Sequence, residues 1–216
     1  RTLKGIDQTG EYENKEVIYS FDNGYTMVDV NTEKDLDVEG KKMGHCVGGY
    51  CDQVAAGNTI IYSLRDPKNN PHATIEVTPY DRPRPGEKRG SVAQIKGKGN
   101  LPPVEKYRPM IKQWLFTTEY NFEDSSDYID ILSKEEIKSK LLSGQLSKRA
   151  EERVVNSTAD PEIIDFFIEE FRLDKVPGER RTKLDNEGIA SGIVRNRHVS
   201  EDQRILLMKI NLKMGQ

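Results

Sequence analysis

Two cysteines, three histidines and one tryptophan in 216 residues leave little nucleophilic or metal-binding chemistry to distribute. Cys46 and Cys51, five positions apart, are too few for a disulfide framework and lack the C-x-x-C spacing of a zinc site, so both read as reduced thiols. No run approaches the roughly 18 to 20 apolar residues that a membrane span requires, and no apolar stretch of the signal-peptide kind opens the chain. An intracellular location and no membrane partner are the expectations. Apolar residues are also thin, at 35% against 32% charged, which calls for a well-solvated surface. The length allows one ample domain, or a medium domain with a smaller appendage; the second arrangement is expected.

What chemistry there is lies close together. Met43-Gly44-His45-Cys46-Val47-Gly48-Gly49-Tyr50 holds one histidine and one cysteine. It is followed by two segments of alternating polarity, Pro71 to Val77 and Val92 to Gly97. Alternation sends successive side chains to opposite faces of a strand, so His72, Thr74 and Glu76 share one face and Ala73, Ile75 and Val77 the other. Gln94 and Lys96 likewise oppose Ala93 and Ile95, and pairing these strands gives one apolar and one chemically rich face.

The surrounding elements follow from the same patterns. Lys15 to Phe21 and Gly24 to Val30 read as a hairpin, with Asp22-Asn23-Gly24 as its turn. Thr32 to Leu36 begins a short helix that Glu39-Gly40 breaks, and Val47 to Ala56 reads as helical, although Gly48 and Gly49 each weaken a helix by about 1 kcal/mol relative to alanine. Thr59 to Arg65, His72 to Thr78 and Ser91 to Gly97 read as strands. Leu101-Pro102-Pro103 introduces a helix over 104–117 with an apolar stripe of Tyr107, Met110, Ile111, Trp114 and Leu115, kinked or delayed by Pro109.

Beyond it, the acidic stretch after Glu119 reads as a linker, and helical patterning persists to the end. There Arg153 to Phe171 and Ile193 to Ile210 share an order of helix, Asn-containing turn, capping Asp or Ser, and helix, about 40 residues apart. The expected fold is thus α+β: a small antiparallel sheet packed with helices in a domain over residues 1–118, an acidic linker over 119–132, and over 133–216 an α-helical module. That module is either a HEAT-like or leucine-rich-variant repeat or an ordinary bundle, and as a repeat it would serve a protein partner.

The net charge of −3 conceals a segregation. From Tyr80 to Lys112 nine Lys or Arg stand against three Asp or Glu, and from Glu119 to Glu136 seven acids stand against one lysine. The basic block suits a polyanion, or is simply a solvated loop and helix face.

Three readings of the polar residues compete. Cys46, near a helix start, is a nucleophile with His45 or His72 as base and Gln94 or Asn100 as orienting or oxyanion group, or else a small core residue. Glu76 with Gln94-Ile95-Lys96, and Glu39 as a second carboxylate, matches the acid and [Glu/Gln]-x-Lys pattern of metal-dependent nucleases. Lastly, His45, Ser63, Arg65, Thr74, Lys98 and Asn100, together with the strand-face residues, hold a phosphate or phosphodiester without cutting it. His72 beside Pro71 also has the plain alternative of capping a turn. No motif assigns a cofactor, and beyond that nuclease-like pattern no residue set is read as a metal site.

Leu36 to Gly40, Met43 to Tyr50, Ile61 to Arg65, His72 to Glu76 and Gln94 to Asn100, in that order, resemble the PcfJ-like family over roughly residues 19–115. Members are encoded by conjugative elements and bacteriophages. The resemblance implies work near DNA transfer, replication or host conflict, in the cytoplasm of a bacterial host or associated with a virion. Its matching positions are Cys46, His72, Thr74, Glu76, Gln94, Lys96 and Asn100. Function is accordingly expected in binding or acting on nucleic acid through the polar sheet face and the basic block, with a cysteine-dependent enzyme using Cys46 and His72, or a non-catalytic interaction factor, as the alternatives.

Overall fold

The five segments of the N-terminal half that read as strands become strands: β1 (Val17–Ser20), β2 (Thr26–Asp29), β3 (Ile60–Arg65), β4 (Pro71–Pro79) and β5 (Gly90–Lys96). The structure is a computed structural model that describes Tyr12, residues 16–171 and residues 191–205. Lys15 of the first expected strand and residues 206–210 of the last expected helix lie outside the described residues. The chain divides into two units, Arg1–Ser133 and Lys134–Gln216.

In the first unit these five strands pair antiparallel in chain order through four ladders, and β6 (Tyr120–Asn121) joins β5 in parallel. The α+β class holds, but the sheet has six strands and is mixed rather than purely antiparallel. The reason is the helix after β5, α-helical over Arg108–Thr117, which returns the chain to the start of β5 so that β6 runs in the same direction. The β1–β2 turn forms where Asp22-Asn23-Gly24 places it, with Gly24 at φ +82° and the Asn23 side chain accepting from the Tyr25 amide.

Three short helices position the site. The first, α1 (Glu33–Met43), is capped by Thr32, whose hydroxyl accepts from the Asp35 amide at 3.1 Å, and it ends at Gly44 in the left-handed region, φ +69°. It therefore runs through Glu39-Gly40, where a break was expected. Gly40 is there for contact, not termination: a Cβ would stand 3.0 Å from the His45 carbonyl oxygen and 3.3 Å from the Gly48 nitrogen. Gly48 reciprocates, since a Cβ on it would fall 2.8 Å from Asp37 Oδ1. The segment expected as one helix from Val47 to Ala56 is a 3-10 turn over Cys46–Tyr50 followed by a single α-helical turn, α2 (Cys51–Ala55). Val30, Leu36, Val47 and Ile61 form a small core beneath it, with Tyr50, Cys51 and Val54 packed alongside.

The third helix, α3 (Arg108–Thr117), follows a 3-10 turn over Glu105–Tyr107 and carries Pro109 in its first turn, where a missing N–H costs no hydrogen bond. Pro109 thus delays the helix without kinking it. Ile111, Trp114 and Leu115 are buried, and the Tyr62 ring meets Trp114 edge-on at 5.0 Å. Residues 119–132, read as a linker, supply β6 and a 3-10 helix over Ser126–Ile131 that buries Tyr128, Ile129 and Ile131. The apolar residues threaded among the acids decide the matter.

β5 departs from strict alternation. Glu76 pairs with Gln94 and Val77 with Val92, which leaves Ala93 as the extra residue of a bulge. Val92 and Ile95, three apart, both reach the core, while Ala93, expected to share the face of Ile95, is exposed.

The second unit contains α4 (Lys134–Leu142), α5 (Lys148–Ser157), α6 (Pro161–Phe171) and helical segments over 191–195 and 201–205. Its two Asn-containing turns are built differently. Asn196 is buried and its amide donates to the carbonyls of Val155 and Thr158 at 2.8 and 2.9 Å. Asn156 instead bonds back to Glu152 within its own helix. Among the described residues no helix is long and apolar enough to cross a membrane.

In an ordinary helix interior Gly→Ala stabilises by up to about 1 kcal/mol. Gly40→Ala should do the opposite, lowering stability by roughly 1–3 kcal/mol because the added methyl meets backbone atoms that cannot yield. The urea midpoint measures it, and an unchanged or raised midpoint would contradict the close crossing.

Candidate functional site

The face of the sheet opposite Trp114 carries Ile61, Ser63 and Arg65 from β3, Thr74 and Glu76 from β4, and Gln94 and Lys96 from β5, as the register Ser63↔Thr74 and Glu76↔Gln94 requires. Helix α1 and the Cys46–Tyr50 turn cover part of it. Where they stop, a cavity of about 390 Å³ opens, floored by Thr74, Glu76, Gln94 and Lys96 and walled by His45, Cys46, Tyr50 and Asn100, with Val47 and Ile61 as its apolar part.

Behind the cavity lies a chain of buried polar groups. Glu39, on α1, has no exposed surface and Arg65 is 1% exposed. The guanidinium stands 3.7 Å from Glu39 Oε2 and lies over the Tyr12 ring, 3.7 Å from its centroid. Tyr12 Oη donates to Glu39 Oε2 at 3.3 Å and Thr74 Oγ1 donates to Oε1 at 2.8 Å. Arg65 Nε donates to Ser63 Oγ at 3.3 Å, and Ser63 also bonds Glu39. Burial pushes the Glu39 carboxyl up, opposed by Arg65 and by these hydrogen bonds.

Thr74 passes the arrangement outward, since its Oγ1 lies 3.0 Å from His45 Nε2. A hydroxyl has one hydrogen. Spent on Glu39, it obliges the oxygen to accept from His45 Nε2–H, which fixes the ring's tautomer and orientation in the cavity wall. Burial holds His45 below the usual histidine range, so it is neutral near pH 7. Across the floor burial also raises the Glu76 carboxyl, while the Tyr50 hydroxyl donates to it and pulls the other way. A neutral imidazole and a carboxyl of raised pKa thus share one cavity.

A family model for PcfJ-like protein matches residues 2–112, just over half of the chain. The chain belongs to the PcfJ-like family. No curated protein and no solved structure matches it. The PcfJ-like stretch begins before the residues that carried the resemblance and takes in Tyr12, and it ends inside α3.

Seven of the residues singled out in the sequence meet in this PcfJ-like cavity: His45, Cys46, Thr74, Glu76, Gln94, Lys96 and Asn100. Four do not line it. Ser63 and Arg65, expected to meet a phosphate, are sealed against Glu39, because α1 crosses directly over that part of the strand. His72 sits at the other end of β4, bonded to Asp66 Oδ2 at 3.1 Å and stacked on Tyr107 with ring centroids 4.5 Å apart. It completes the Asp66–Asn70 turn, so the Cys46–His72 pair is corrected to Cys46 beside His45. Lys98 is exposed just past the end of β5.

Asp127 was not anticipated. Its Oδ2 accepts from the Ile95 amide at 2.9 Å and from Lys96 Nζ at 2.8 Å. Likewise Arg89 pairs with Glu119 at 2.8 Å. Basic and acidic blocks, distinct along the sequence, therefore partly neutralise each other in space. The complementary counts of the two blocks were the available signal. Glu39, weighed as a second metal ligand, is turned inward to Arg65. Among the described residues no group of three or more His, Cys, Asp or Glu is placed to hold a metal ion.

Cys46 is exposed, whereas the Cys51 thiol bonds the Gly48 carbonyl at 3.0 Å and is pushed up by burial and by Glu33 and Asp37. Iodoacetamide at neutral pH should modify Cys46 several-fold faster than Cys51, read by peptide mass mapping; equal rates would contradict this placement.

Glu39→Leu should cost roughly 3–5 kcal/mol by leaving the Arg65 charge buried alone, and adding Arg65→Met should recover most of it. Denaturant titration of the two single variants and the double variant measures the coupling; additive losses would show that the two side chains act separately.

Proposed function

We propose that the N-terminal unit is a nucleic-acid-acting domain whose cavity carries out proton transfer, with His45 and Glu76 as the exchanging groups. The observation that carries this reading is the Arg65–Glu39–Thr74–His45 chain. Burying an ion pair and then spending its hydrogen bonds to orient one imidazole at a cavity wall is costly for a structural end, and it is the arrangement that a general base needs. The opposite displacements of His45 and Glu76 bring base and acid toward the same pH range, which supports a shared acid–base role.

Nucleic acid as the substrate rests on the rest of the face. The β4–β5 loop is exposed from Asp81 to Arg89 and carries Arg82, Arg84 and Lys88, and Lys98 stands at the far end of the same strand. With Lys96 they put cations before, within and after β5, the strand whose Gln94 and Lys96 floor the cavity, a distribution suited to a phosphate backbone. Gln94 and Asn100 add amide donors and acceptors of the kind that reads a base edge. The mobile-element or phage setting implied by the family agrees with such a polymer.

Single-stranded oligonucleotides should bind with an affinity that falls steeply as salt rises, by about 0.7 in log K per log salt for each phosphate contact. Arg82→Ala with Arg84→Ala should flatten that slope, while His45→Gln leaves it unchanged. Fluorescence anisotropy between 50 and 300 mM salt tests this. Absence of binding, or binding indifferent to salt, overturns the reading.

A further inference from the structure

The cavity's geometry goes further than a polymer class. We infer that the substrate is single-stranded RNA and that the reaction is attack of a ribose 2′-hydroxyl on its own 3′-phosphodiester, with His45 as base, Glu76 as acid and Lys96 stabilising the phosphate. This rests on the acid–base reading of the cavity given above, and deepens it.

The first argument is spacing. Thr74 and Glu76 are i and i+2 on one strand, so their side chains rise from the same face about 7 Å apart. His45 Nε2 is held 3.0 Å from Thr74 Oγ1, so one proton-transfer group stands at each of two neighbouring same-face positions of β4, and both line the cavity. An in-line displacement needs its base and its acid on opposite sides of phosphorus.

The second argument is charge. Lys96 has three N–H donors and gives one to Asp127 at 2.8 Å. It is 22% exposed and lines the cavity, so further donors remain for the non-bridging oxygens, where negative charge grows in the transition state. Asp127, itself fixed by the Ile95 amide, holds the ammonium at that place.

The third argument is completeness. The 2′-oxygen loses its proton to the ring nitrogen of His45 that Thr74 does not engage, and the 2′-O–P bond forms. The P–O5′ bond breaks, and the leaving 5′-oxygen takes the proton of the Glu76 carboxyl. The products are a 2′,3′-cyclic phosphate and a 5′-hydroxyl. Solvent restores the two protonation states, and no other reactant is consumed. Because the nucleophile belongs to the substrate, base, acid and cation suffice, and these are the groups that the cavity floor and wall bring together. The Tyr50 hydroxyl stands beside the Glu76 carboxyl in the same cavity.

The test uses the full chain and three oligonucleotides of one single-stranded sequence: RNA, DNA, and RNA methylated at every 2′-oxygen. The expected result is cleavage of RNA alone, with 2′,3′-cyclic phosphate and 5′-hydroxyl ends identified by mass spectrometry. The methylated strand should bind and stay whole. His45→Gln and Glu76→Gln, near-isosteric and checked for folding by circular dichroism, should each slow cleavage by about 100-fold or more with binding retained. Cleavage of DNA or of the methylated strand, ends carrying a 5′-phosphate, or salt-sensitive binding of RNA without any cutting overturns the RNA-transesterification inference and leaves the polymer-binding reading standing. Failure to bind any of the three overturns both.

Discussion

Everything on the working face depends on the burial of Glu39 against Arg65. Removing two charges from water costs several kcal/mol per ion, and here the loss is offset only because Tyr12, Ser63 and Thr74 saturate the carboxylate while the Tyr12 ring covers the guanidinium. Those partners come from α1, β3, β4 and the segment ahead of β1. The ion pair thus sets how far α1 may stand from the sheet, and Gly40 and Gly48 are the positions at which that closeness is tolerated. One consequence is the orientation of His45.

The contrast between His45 and His72 shows how environment, not residue type, separates two histidines of one sequence. His72 lies on β4 and His45 bonds to it, and each makes a hydrogen bond near 3 Å. His72 satisfies Asp66, a carboxylate already holding the Asn70 and Lys68 amides, and its ring is occupied by Tyr107. His45 is held by a threonine whose remaining bond points into the protein. The first is consumed by a turn; the second is aimed at a cavity.

The first three strands were legible from β-rich runs bounded by turn residues, and β4 and β5 from alternation, which also made the face carrying Thr74, Glu76, Gln94 and Lys96 legible. The stripe of α3 was equally open to reading. Three features were not. Helix α1 runs through Gly40 because a neighbouring backbone occupies the space of the missing side chain, and no local pattern reports a neighbour 5–8 residues on. Ala93 looks apolar and inward until the bulge displaces it. Arg65 looks like a surface cation, since its burial depends on a partner 26 positions earlier. The same holds for Lys96 and Asp127. Periodicity reports which face a residue takes; it does not report what crosses that face.

The order of strands has a kinetic meaning. Three of the five pairings, β1–β2, β3–β4 and β4–β5, close through loops of five to ten residues, whereas β2–β3 spans residues 30–59 and β5–β6 spans residues 97–119. Both long connections deliver groups of the site: the first carries Glu39, His45 and Cys46, and the second leads into the segment that holds Asp127. Closures of high sequence separation are the slow ones, so the hairpins of the sheet would form first, and the wall over the cavity and the Asp127 anchor of Lys96 would come last.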